Sequence, residues 1–145
     1  MMGYLKWKHN SWLFFDPTYP DIDFDTFNDG AEWKTFYGDV TEAIPPNAPD
    51  PRGKAVYLSM WVDSDHVGDK STRQLRTGYF IFLNTALIDW LIKNQATIEG
   101  SLFGAESVAR KTGVDTLRGI RYKVHIIGLP LTGPTYVYGN NMSVI

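Results

Sequence analysis

At 145 residues with 43% apolar and 14% aromatic content, the chain is large enough for one domain with a real core, which excludes a disordered polypeptide. Cysteine is absent, which excludes a disulfide framework, a thiolate nucleophile and cysteine-ligated zinc, and His9, His66 and His125 are too scattered to form a metal site by spacing. The formal charge of -2 conceals an asymmetry: residues 16 to 50 are acidic, with Lys34 their single base, whereas Arg110, Lys111, Arg118, Arg121 and Lys123 face only Asp115 over residues 110 to 123.

Residues 1 to 53 read as an arm. Pro17, Pro20, Pro45, Pro46, Pro49 and Pro51 leave little room for long elements, yet aromatics are dense between Trp12 and Tyr37. So many rings predict an arm packed onto a neighbouring surface. Glu42 to Pro49 is expected to be an extended connector into the folded body, residues 54 to 145. Tyr4-Leu5-Lys6-Trp7-Lys8 never becomes the apolar core of a signal peptide.

The apolar run Val56 to Val62 predicts a first strand, which ends in Asp63, Asp65 and Asp69. Asp63 and Asp65 share a face by the period of two, and Gly68 lets the chain turn away. Two carboxylates on one strand end suit Mg²⁺ or Mn²⁺, and the same residues also read as a solvated acidic turn. A calcium loop is excluded, because its fifth and twelfth positions would be Val67 and Gln74.

Arg76 to Leu83 and Ala86 to Ile92 are two β-rich runs that meet at Asn84-Thr85, a hairpin in which Asn84 takes positive φ. Both runs are apolar at nearly every position, so the sheet is expected to be covered on both faces. The greasy stretch Tyr79 to Ile92 is too short and too interrupted to span a bilayer. Ser101 is a candidate N-cap for a helix whose apolar stripe runs from Leu102 to Ile127 and stops at Gly128-Leu129-Pro130. Gly113 and Gly119 are expected to bend or divide it. Glu106 lies among apolar neighbours in its first turns, where a carboxylate needs a partner. Thr135 to Tyr138 is a last short strand, parallel to the first through a helical crossover. The carboxyl ends of those two strands would then bring Asp63, Glu106 and Asn140 together.

Five segments carry a family pattern: Val62-Asp63-Ser64-Asp65-His66-Val67-Gly68-Asp69, Thr77-Gly78-Tyr79-Phe80, Lys93-Asn94-Gln95, Phe103-Gly104-Ala105-Glu106 and Tyr136-Val137-Tyr138-Gly139-Asn140-Asn141. In order and spacing they resemble the ribonuclease H domain of copia-type retrotransposon polyproteins. Phe15 to Pro20 and Phe36 to Val40 are similar to the connection segment that follows reverse transcriptase in some of these elements.

The resemblance implies an α/β fold, a ribonuclease-H-like mixed sheet with a crossover helix, and cleavage of the RNA strand of RNA–DNA hybrids by two divalent ions, Mg²⁺ or Mn²⁺. It implies Asp63 and Glu106 as catalytic metal ligands, hybrid and the reverse transcriptase domain as partners, no membrane, and a location in cytoplasm or nucleus. Asn140 stands where the family has a third carboxylate, and the chain is expected to be truncated before the family's last strand, last helix and fourth acid. It therefore reads as a catalytically silent relative. The alternative is a non-catalytic module gripping hybrid or protein, with Arg110, Lys111, Arg118, Arg121 and Lys123 as its nucleic-acid-binding face, although an ordinary solvated helix face carries the same residues.

Overall fold

The computed structural model of the chain describes residues 15–21, 35, 38–39, 41–65, 76–95 and 102–139. The Ser101 cap, the turn at Gly68, Asn140 and most of the aromatic arm lie outside these residues. The elements are β1 (Leu58–Asp65), β2 (Arg76–Leu83), β3 (Ala86–Asn94), α1 (Leu102–Ile126) and β4 (Tyr136–Gly139). They form an α/β fold with one mixed four-stranded sheet in the order β3-β2-β1-β4.

β1 extends beyond its apolar run. Its ladder with β2 continues through Asp63↔Gly78 to Asp65↔Arg76, and backbone pairing, which does not depend on side-chain polarity, carries the acids into the strand. The β2–β3 hairpin turns where Asn84 holds φ at 54°. Its side chain fastens two further segments: Oδ1 accepts the Tyr57 N–H at 2.9 Å, and Nδ2 donates to the Pro17 carbonyl at 2.9 Å.

α1 is a single helix of 25 residues, not divided at either glycine. At Gly113 the residue's role is clearance, since a Cβ there would lie 2.7 Å from the Sδ of Met60 on β1. The helix ends in a Schellman arrangement: Gly128, at φ 71°, donates to the His125 carbonyl at 3.0 Å, and Leu129 donates to that of Val124 at 3.1 Å. The chain then pairs Leu131 with Val56 and enters β4, which runs parallel to β1.

The core lies between α1 and one face of the sheet. Leu58, Met60 and Val62 of β1, Tyr79 and Ile81 of β2, and Ala109, Leu117 and Val124 of α1 form it. The sequence predicted cover on both faces. Among the described residues the other face is covered only around Tyr57 and Ser59, which are buried, while Trp61, Phe80, Trp90 and Ile92 stay exposed on it.

Two pieces of the arm region are docked. Residues 15–21 lie against the hairpin, where Thr85 donates to the carbonyls of Thr18 (N–H, 3.2 Å) and Asp16 (Oγ1, 2.8 Å), and Tyr19 packs on Tyr57 with ring centroids 6.1 Å apart. The connector is not simply extended, because it turns at Pro45–Ala48, where the Ala48 N–H bonds the Pro45 carbonyl at 3.0 Å. Glu42 is fixed to α1 through the Nε and Nη2 of Arg121, which bond its two carboxylate oxygens, and through His125. The Arg121 hydrogen bonds, chiefly, hold the Glu42 carboxyl down to about 2 against its burial. No helix among the described residues is long and apolar enough to cross a membrane.

Candidate metal and nucleic-acid site

Strand alternation decides which way the motif residues face. Val62 and Ser64 are buried against α1, so the intervening Asp63 points with Trp61 to the open side, where it is exposed. Its Oδ1 accepts the N–H of Ser64 at 2.8 Å. Glu106, in the second turn of α1, is instead only 1% exposed on the covered side. The residue that β1 turns toward the helix at this level is therefore Ser64.

Around Glu106 the covered side forms a polar corner. Gln95 donates from Nε2 to Thr77 Oγ1 at 2.9 Å and to the Ala105 carbonyl at 3.0 Å, tying the end of the hairpin to the first turns of α1. Thr77 pairs with Ser64 in the sheet, and Gln95 ties it to Ala105, the residue before Glu106. Ser64 Oγ, Gln95 Oε1 and Glu106 Oε2 are buried without a hydrogen-bond partner among the described residues. Buried polar atoms of this kind are costly. The signal that could have found Ser64, Thr77 and Gln95 was polarity at positions that face the core, two on strands and Gln95 one residue past the end of β3.

Val62↔Gly139 brings the end of β4 beside the end of β1. Arg110, one turn after Glu106, lays its guanidinium against Gly139, where a Cβ would be 2.6 Å from a terminal nitrogen. Of the other predicted nucleic-acid contacts, Arg121 is engaged by Glu42 and also donates to Thr135, and exposed Lys111 pairs with Asp115 at 2.9 Å. Arg118 and Lys123 are exposed on α1. Among the described residues, no three of His, Cys, Asp and Glu are grouped to hold a metal ion. The covered corner offers one carboxylate, and Asp63 stands across the sheet from it. The described residues do not fit a two-ion centre.

No protein-family model, curated protein or solved structure matches the chain.

Proposed function

We propose that the chain is a catalytically silent relative of the copia-type ribonuclease H domain. The observation that carries this reading is the sheet order: an antiparallel hairpin on one side of β1, a parallel strand on the other reached through one helix, and a buried carboxylate, Glu106, in that helix's second turn. The outward direction of Asp63 and the amide at Asn140 both support silence, because two dications held together require converging negative charge.

The test is a cleavage assay of the purified chain on a labelled RNA–DNA hybrid with Mg²⁺ and then Mn²⁺. Product at background is expected, with and without Asn140→Asp. Metal-dependent cleavage by the unaltered chain, lost in Asp63→Asn, would overturn the reading in favour of an active nuclease. Relatedness has its own test, since a reverse transcriptase reading frame is expected in the genomic sequence upstream.

A second reading, a binding module that keeps the fold, is favoured by the exposed aromatic face of the sheet. Hybrid binding without cleavage, weakening steeply with salt, would support it.

A further inference from the structure

The open face of the sheet has relief that follows from its register. Tyr138, Trp61, Phe80 and Trp90 are successive cross-strand partners on β4, β1, β2 and β3, so four rings form one row across the whole sheet. The next row is Asp63, Gly78 and Ile92, and it dips in the middle because Gly78 has no side chain. Arg76 stands beyond it on β2. A cavity of about 500 Å³ results, with Trp61, Phe80 and Tyr138 on one side, Ile92 at one end, and Asp63 and Arg76 at the rim.

Nothing in the backbone calls for glycine at position 78. A Cβ there would meet only ordinary contacts, the Leu91 carbonyl oxygen at 3.8 Å and Ile92 Cγ1 at 4.0 Å. Glycine weakens a strand interior, so its structural consequence here is the cavity itself.

The size of the face selects the occupant. Trp61, Phe80, Trp90 and Ile92 are 53%, 43%, 51% and 69% exposed. For side chains of this size that leaves roughly 400–450 Å² of apolar surface, about half of what one partner contributes to a standard protein interface. The cavity, in contrast, has the volume of a small-ligand cleft.

The chemistry narrows it further. Trp61 and Tyr138 stack at 4.3 Å with their planes 13° apart, and Trp61 is half exposed, so a flat π surface is available to a planar ring. Asp63 accepts one backbone N–H on Oδ1, which leaves Oδ2 and the second lone pair of Oδ1 to a pair of incoming donors, and carboxylate oxygens can only accept. Arg76 is exposed and supplies a fork suited to an anion. Of the common nucleobases only guanine presents two adjacent N–H donors on one edge, N1 and N2. The matching edges of adenine and cytosine place an acceptor lone pair against the carboxylate.

We propose that the cavity on the open sheet face, built by Trp61, Gly78, Phe80 and Tyr138 with Asp63 and Arg76 at its rim, binds an unpaired guanine nucleotide. The purine stacks on the aromatic row, its N1–H and N2–H bond Asp63, and its phosphate meets Arg76. The site is distinct from the corner around Glu106 and stands whether or not the chain is related to ribonuclease H.

The experiment titrates the full chain with GMP, guanosine and AMP, followed by calorimetry and by quenching of tryptophan fluorescence. A short oligothymidylate carrying one central guanine is the further arm. GMP is expected to bind about tenfold tighter than AMP, from one paired hydrogen-bonding edge, and tighter than guanosine through Arg76. A preference for the oligonucleotide over GMP assigns the guanine to a single strand, and the reverse assigns a free nucleotide; either supports the site. Gly78→Val, which suits a strand and fills the floor, should abolish binding while circular dichroism stays unchanged. Asp63→Asn should remove the guanine preference, and Arg76→Gln should make GMP and guanosine equal. Equal binding of GMP and AMP, binding undiminished in Gly78→Val, or no binding of GMP and oligonucleotide would each overturn the proposal. So would concentration-dependent dimerisation abolished by Gly78→Val, which would give the face to a second copy.

Discussion

The two glycines of α1 should respond to alanine with opposite signs, and the difference measures how tightly the helix is set on the sheet. At Gly119 nothing lies within 4 Å of an added Cβ, so Gly119→Ala collects only the helical preference of alanine and should stabilise the fold by roughly 0.5–1 kcal/mol. At Gly113 the same gain is opposed by a Cβ 2.7 Å from Sδ and 2.9 Å from Cε of Met60. A thioether end can rotate away, but Met60 is 0% exposed and Tyr79 Cδ1 already lies 3.7 Å from the same point, which limits the escape. Overpacking of this kind costs about 1–3 kcal/mol, so Gly113→Ala should be destabilised by a net of up to about 2 kcal/mol. Urea unfolding with a common slope should separate the two variants by at least about 1 kcal/mol, or roughly 3 °C in midpoint temperature. Met60→Ala should cost less in the Gly113→Ala background than in the unaltered chain, a coupling that independent sites would not show. Equal stabilisation by alanine at both positions would refute the close seating of α1 on β1.

Glu42→Gln should cost about 1 kcal/mol near neutral pH, a figure reduced for the carboxylate's partial exposure. Since the Arg121 hydrogen bonds hold the carboxyl down to about 2 against an ordinary 4.5, its contribution is full above about 4.5 and fades as pH falls toward 2. Stability curves of the two proteins should therefore converge in acid, and a constant gap down to pH 2 would disprove the ion pair. At the hairpin, Asn84→Gly keeps the positive φ and loses both side-chain bonds, for about 1–2 kcal/mol, while Asn84→Ala adds about 1 kcal/mol of backbone strain. Equal thermal midpoints for the two Asn84 variants would show that the turn is not strained by a Cβ.

Much of the fold was legible because its signals are local. The β2–β3 hairpin was marked by two β-rich runs around Asn84, whose short polar side chain tolerates φ of 54° and bonds nearby backbone. The extent of α1 and its stop at Gly128 followed from a periodic apolar stripe closed by a residue free to adopt positive φ. Glu106 could be placed in the first turns of that helix by counting alone.

What tertiary structure decided concerns faces and neighbours. Composition cannot show that Asp63 points away from α1 while Ser64 points toward it, because the period of two fixes only that they differ, and the helix chooses the side by packing on Leu58, Met60 and Val62. Runs apolar at nearly every position predicted a sheet covered twice, and they equally suit a face on which Trp61, Phe80 and Trp90 line up in the open. Gly113 looked like a helix breaker, since propensity speaks only of the isolated helix, and the need for clearance above Met60 exists only once helix and strand have met. Arg121, read as a phosphate contact, belongs to Glu42, 79 positions away in the chain, and a pairing over that separation has no local sequence signal; it arises when the folded body brings the connector onto the helix.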